Sequence, residues 1–326
     1  MKVHTHGHEE SALVIILAET REHVLTFDLF KKNLLDIMNA DLCLCVARNH
    51  REDTANPFYR HARYIWRYEE PDDWGDAFDD LQRRRGLQND WRKLLELGDQ
   101  WLGGVRAPDE HPGSAGILLF FRLFLKESII RHHVLDHYDR FIVTRSDFMH
   151  RVPHVPLTLL NPGYIWIPDG EDYGGYTDRH LIAHRSDILP VLSVADRILT
   201  EPEALYTEMA HCTNWNLERF IKFSFTSMGL EPKIRRFPYT MYTVRSVGGN
   251  TRWRRGDYSG RLGYYIKYYD EYRGYKLASL LIKEHGDWNR FTIILFHVLK
   301  RLIESRYGRQ ILRLFRSVIP RYPEIT

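Results

Sequence analysis

Two stretches of this 326-residue chain hold residue types at spacings that can carry polar chemistry. The first is Tyr138-Asp139-Arg140-Phe141-Ile142-Val143-Thr144-Arg145-Ser146-Asp147-Phe148, an apolar run ending in an Arg-x-Asp triplet. A buried strand over 141–144 puts Arg145 and Asp147 at its carboxyl end, where open α/β sheets bind ligands. The plain alternative is an Arg–Asp ion pair that closes the strand. The second stretch runs from Pro168 to His180 and carries Gly174-Gly175, then Asp178-Arg179-His180. Paired glycines allow close backbone approach to a ligand. Asp178 also fits as the N-cap of a helix starting near Arg179.

Weaker signals surround these two. Gly113-Ser114-Ala115-Gly116 precedes an apolar helix and offers free N–H groups to an anion, or merely starts the helix. Asn216 and Glu218 open another helix, facing an acceptor or forming a solvated first turn. Arg245, Arg252, Arg254 and Arg255 sit among Gly248, Gly249, Trp253 and Gly256, the makings of a basic loop that closes over a diphosphate. Six tyrosines between Tyr264 and Tyr275 stack on sugars or, as helix packing, on the core. Cys43 and Cys45 flank Leu44 and point to one face of a strand as two buried thiols. His4, His6 and His8 belong to a terminal tail. Walker, Gly-x-Gly-x-x-Gly, Gly-x-Ser-x-Gly and His-Glu-x-x-His motifs are absent, which excludes the common ATPase, dehydrogenase, hydrolase and zinc-protease readings.

These residues need elements to hold them. Residues 12–18 read as a buried strand, 26–38 show helical spacing through Phe27, Phe30, Leu34 and Ile37, and 41–47 return to strand. That order predicts a βαβ unit with a right-handed crossover and a parallel sheet. Helices are expected over 74–85, 90–102, 117–130, 188–199 and 216–228, and strands over 141–144, 164–167 and near 241–245. Residues 181–183 are a strand or a helix start, 254–263 a polar loop, and 289–318 a long helix. The expected organisation is a tail over 1–11, an α/β catalytic domain over 12–260 and a basic helical extension over 261–326 packed on it.

The strand-end triplet and the Gly-Glu-Asp-Tyr-Gly-Gly-Tyr-Thr-Asp-Arg-His block resemble those of GT-A-type glycosyltransferases. Both blocks are similar to glycosyltransferase-like proteins of large DNA viruses of algae and of some microbes. The resemblance covers roughly residues 12–255 and implies a GT-A-like, Rossmann-like, mostly parallel sheet flanked by helices. It also implies transfer of a hexosyl or pentosyl group from a UDP- or GDP-sugar to a glycan hydroxyl. The family's triplet is Asp-x-Asp, whose last carboxylate holds Mn²⁺ or Mg²⁺ against the donor diphosphate. Asp147 matches that position, whereas Arg145 replaces the first Asp and leaves thin ligation for a metal. Arg145 suits direct neutralisation of the diphosphate instead. Asp178 matches the carboxylate that deprotonates the acceptor. Arg179 and His180 then bind phosphate or orient Asp178. Glu19, Thr20 and Arg21 stand where this fold cradles the nucleotide, and Arg245 and Arg252 join the donor contacts.

Composition bounds the rest. Hydrophobic residues make up 44% and charged residues 27%, within the globular range. No apolar run reaches the length of a membrane span, and residues 1–6 lack a signal-peptide core, so a cytoplasmic setting is expected, the host's if the chain is viral. From Arg235 onward 19 Lys and Arg face 7 Asp and Glu, against 27 and 36 before it. Such a basic third seeks an anionic partner. After residue 287 apolar residues recur at helical spacing among Lys300, Arg301, Arg306, Arg309, Arg313 and Arg316, so the helix either packs on the domain or lies on an anionic membrane. Two other classes fit parts of the pattern. One is an inactive carbohydrate- or nucleotide-binding relative; the other is a basic nucleic-acid-binding protein, although no recognition motif accompanies the charge.

Overall fold

The computed structural model describes residues 10–48, 55–98, 100–106, 111, 113–248 and 255–305. Strands β1 (Ala12–Leu17), β2 (Ala40–Ala47), β3 (Ala62–Tyr68) and β4 (Arg140–Thr144) run parallel in the order β3-β2-β1-β4. Along β1, Leu13 and Ile15 enter one apolar cluster while Val14 and Ile16 enter another, all fully buried. A strand covered on both faces must be apolar throughout, which is why Leu-Val-Ile-Ile reads without alternation. The sheet continues with β7 (Leu181–His184), antiparallel to β4, then β6 (Ile165–Pro168) and β8 (Ile234–Phe237). The α/β expectation therefore holds: a mixed, mostly parallel sheet lies between helices.

A second sheet has the order β10-β11-β9-β5. It joins β5 (Phe148–Met149), β9 (Tyr242–Arg245), β10 (Asp257–Ser259) and β11 (Tyr264–Ile266) through antiparallel pairs. The polar segment expected as a loop over 254–263 thus contains β10, because Tyr258 faces Tyr265 across the β10–β11 pair. Residue 260, where the catalytic part was expected to end, lies in the turn of that hairpin.

The helix after β1 departs from a regular 26–38 span. It begins at His23, passes through a π-helical segment at Lys31–Leu35 and ends at Met38. The buried Asn33 amide donates to the His150 carbonyl at 2.6 Å, and the Asn33 carbonyl accepts the His154 N–H at 2.8 Å. Serving that outside partner is a ready cause for the widened turn. Helices at Trp74–Arg84, Ala115–Arg131 and Leu217–Ser227 match expectation closely, whereas 90–102 yields a 3-10 segment at Trp91–Leu97. The 188–199 helix is instead Arg185–Leu192 followed by Asp196–Thr200, with Pro190 inside the first. Sequence reading did not anticipate β3, β8 or the helix Pro202–Met209. Cys43 and Cys45 do share one buried face.

The long helix expected over 289–318 runs instead from Arg290 to Glu304 and ends at Ser305, whose backbone is extended; residues 306–326 lie outside the described residues, as do His4, His6 and His8. Asn289 and Thr292 form a reciprocal capping box at its start. Phe296 and Thr292 pack inward, while Phe291, Ile294, Val298 and Leu302 stand 48–63% exposed. His297 and Lys300 tie the helix to Asp169 at 2.9 and 3.0 Å. No helix among the described residues is long and apolar enough to cross a membrane.

Candidate active site

The strand order reverses direction between β1 and β4: the chain moves from β1 outward to β2 and β3, then returns to β1's other side. Loops leaving the carboxyl ends of those two strands diverge and open a crevice. A cleft of about 710 Å³ lies there. Its wall includes Glu19 and Arg21 after β1, Glu70 after β3, and Arg145 and Asp147 after β4. Gly113 and Ser114 enter at the start of the Ala115–Arg131 helix.

Arg145 and Asp147 form a closed arrangement. Arg145 Nε and Nη2 donate to the two Asp147 oxygens at 2.9 Å each, and Arg245 Nη1 stands 2.5 Å from Oδ2. Burial alone raises a carboxyl pKa, but the two guanidiniums outweigh it and hold Asp147 well below the usual carboxylate range. The small sheet makes this possible. Asp147 precedes β5, Arg245 ends β9, and Lys267 follows β11, so antiparallel pairing brings three distant segments together. Burial and the charges of Arg245 and Arg145 push the Lys267 ammonium down to about 7.

The cleft lining also carries carboxylates. The Asp172–Asp178 turn lies against the first turn of the Leu217–Ser227 helix, where Tyr176 N–H donates to the Glu218 carbonyl at 3.0 Å. A Cβ on Gly175 would stand 1.8 Å from that carbonyl oxygen, so only glycine fits. The paired glycines serve this packing, not the ligand approach expected from the sequence. They set Asp178 beside Glu218 in the cleft. Burial first, then the Asp178 charge, raise Glu218 to about 7. Arg122 spans the pair, donating to the Asp178 carbonyl at 3.4 Å. No helix starts at Arg179, because 181–184 is strand β7, so the N-cap reading of Asp178 is corrected.

Of the residues expected at the site, Glu19, Arg21, Arg145, Asp147, Asp178 and Arg179 line the cleft. Arg179 is nonetheless occupied: it pairs with Glu271 at 3.1 Å and Glu171 at 3.3 Å and stacks 3.7 Å over Tyr268. Thr20, His180 and Arg245 do not line it. Thr20 accepts from Asn56 at 2.7 Å, and buried His180 bonds Thr144 at 2.8 Å behind the strand. Arg252 lies outside the described residues, as do Gly249, Trp253 and Arg254. Sequence reading missed Arg122 and Lys267; Asn216 and Glu218, read as facing an acceptor or forming a solvated first turn, both line the cleft. A lone arginine inside the apolar 117–125 run was a usable signal for Arg122; Lys267 had none.

A divalent cation fits this site poorly, since both Asp147 oxygens are engaged by guanidinium nitrogens. Among the described residues no group of three or more His, Cys, Asp or Glu is arranged to hold a metal.

No family model and no curated protein matches the chain. Among solved structures, mouse xyloside xylosyltransferase 1 in its apo form aligns over 70% of this chain and 85% of its own. The identity is 11% and the TM-score 0.35. The α/β class rests on the strands themselves.

Proposed function

We propose that the protein transfers a glycosyl group from a nucleoside-diphosphate sugar, UDP- or GDP-linked, to a hydroxyl of a glycan or glycoconjugate. One observation carries the reading. Inside a single cleft at the sheet's switch point, the Asp178–Glu218 pair shares one lining with the basic side chains of Arg145 and Lys267. A carboxylate with its pKa near neutrality is suited to take a hydroxyl proton as the oxygen attacks the sugar carbon. The bond that breaks leaves its electrons on the diphosphate, and fixed cations stabilise that charge where it develops. Glu19 and Arg21 at the exit of β1, with Tyr68 and Trp74 beyond them, supply polar and flat surfaces for the nucleoside. Differential scanning of the protein with millimolar UDP-, GDP- and other nucleotide sugars tests the reading. At least one should raise Tm by mass action, and no shift from any of them would sink it.

The solvent-facing stripe of Phe291, Ile294, Val298 and Leu302 belongs to the same reading as a membrane contact. Arg290 and Arg301 border it, and the sequence beyond adds Arg306, Arg309, Arg313, Arg316 and Arg321 against Glu324 alone. An apolar stripe edged by cations complements an anionic lipid surface.

A further inference from the structure

We propose that this cleft binds the diphosphate of its donor without a divalent cation, on a floor made by Arg145 and Lys267 with Arg245 behind them, and that Asp147 is the counter-ion that locks this floor. The inference rests on the reading of the cleft as a nucleotide-sugar site. It replaces the role expected for Asp147 as a metal ligand. Its Oδ1 accepts from Arg145 Nε, while Oδ2 takes Arg145 Nη2 and faces Arg245 Nη1. A Mg²⁺ or Mn²⁺ ion needs ligand oxygens at about 2.1 Å. Seated on Asp147, it would displace a guanidinium N–H and then lie beside two arginines, in a buried place where like charges repel strongly. The position that would supply a second carboxylate is Arg145 itself.

The same residues suit a diphosphate. Two guanidiniums hold one carboxylate here, with Lys267 lining the same floor. An arriving diphosphate supplies the negative charge that favours the Lys267 ammonium, which burial and the two arginines push down to about 7. The fork to Asp147 uses Nε and Nη2 of Arg145, so Nη1 is not committed to that carboxylate, and the side chain is 26% exposed in the cleft wall. The floor is built on strands. Val244 N–H donates to the Asp147 carbonyl at 3.0 Å, and Lys267 N–H to the Thr243 carbonyl at 2.9 Å. Cations fixed in this way need no reorganisation when charge arrives. Of the other carboxylates that line the cleft, Glu19 bonds Arg21 at 2.6 Å and Asp178 neighbours Glu218, while Glu70 and Asp257 complete the acidic lining.

Isothermal titration of the full-length protein with UDP and with GDP, once in EDTA and once in Mn²⁺, tests this. At least one nucleotide should bind in EDTA, with a Kd within about threefold of that in Mn²⁺. Lys267→Met should weaken binding in EDTA by about tenfold or more, the usual weight of a charged hydrogen bond, and Lys267→Arg should restore most of it. Asp147→Asn should weaken binding by loosening Arg145, yet leave it insensitive to metal. Binding seen with Mn²⁺ alone, or a Lys267→Met variant that binds like the parent, overturns the proposal while the glycosyl-transfer reading stands. Failure of both nucleotides in both buffers overturns that reading, and this inference with it.

Discussion

At the scale of single residues, the proposed transfer turns on Glu218 and Asp178. Glu218 titrates near 7 because burial and a neighbouring carboxylate both disfavour its charge. As a base it acts only when ionised, so turnover should rise with pH through about 7 and level off above it. In Glu218→Gln that limb should vanish and turnover should fall by about 10²–10⁴-fold. Nucleotide affinity should stay nearly unchanged, because this side chain is not among the groups proposed to hold the diphosphate. A pH–rate profile on parent and variant checks both expectations. Asp178→Asn should also lower turnover, and should shift the Glu218 limb downward, since a neutral amide no longer repels its charge. Gly175 makes a sharper demand. An alanine there meets the Glu218 carbonyl at a distance no real contact tolerates, so the turn must move. Overpacking of this kind costs about 1–3 kcal/mol. Gly175→Ala should therefore lower Tm by several degrees in a thermal melt and displace Asp178 as well.

Beneath the cleft, the packing of elements buries three histidines. His150, His154 and His180 are fully buried, and the His154 and His180 rings stack with centroids 5.1 Å apart. His154 is pushed down to about 4 by burial, and His150 and His180 lie well below their usual value for the same cause. A histidine whose folded pKa is depressed contributes stability that is intact above its unfolded pKa, near 6.5, and fades as pH falls toward the folded value. Between pH 7 and pH 5 His154 alone should cost about 2 kcal/mol. Urea unfolding at the two pH values measures this, and His154→Phe should flatten the dependence. The cluster stands next to the site through the His180–Thr144 bond, so acid should disturb the cleft wall before the outer helices.

For the whole molecule, the proposed membrane contact rests on the C-terminal helix. Its inner side is anchored by Phe296, His297 and Lys300, and Asp169, which it holds, follows β6 on the sheet edge that opens into the cleft. A surface that engages the outer stripe would therefore meet the molecule through an element tied to the same sheet edge as the cleft. The full chain should co-sediment with vesicles containing anionic lipid and stay in solution with neutral ones, with binding falling as salt rises. Ile294→Asp together with Val298→Asp should abolish sedimentation while leaving nucleotide affinity intact.

What the sequence determined by itself was local. The unbroken Leu13–Leu17 run, the helical spacing after it and the strand at Phe141–Thr144 are short-range patterns, and they placed the sheet's centre and the residues at its carboxyl edge. Arg145, Asp147 and Asp178 were legible because a strand end or a glycine pair marks them within a few positions. The tertiary structure decided everything that depends on pairing across distance. Lys267 joins Arg145 through the register of β11, β9 and β5, and Glu218 faces Asp178 because a glycine-bearing turn settles on a helix start. Arg145 engages both Asp147 oxygens locally, and the fold adds Arg245, nearly a hundred residues downstream, to Oδ2. Charge couples through space as the inverse of distance, and a linear chain encodes that distance only through the fold.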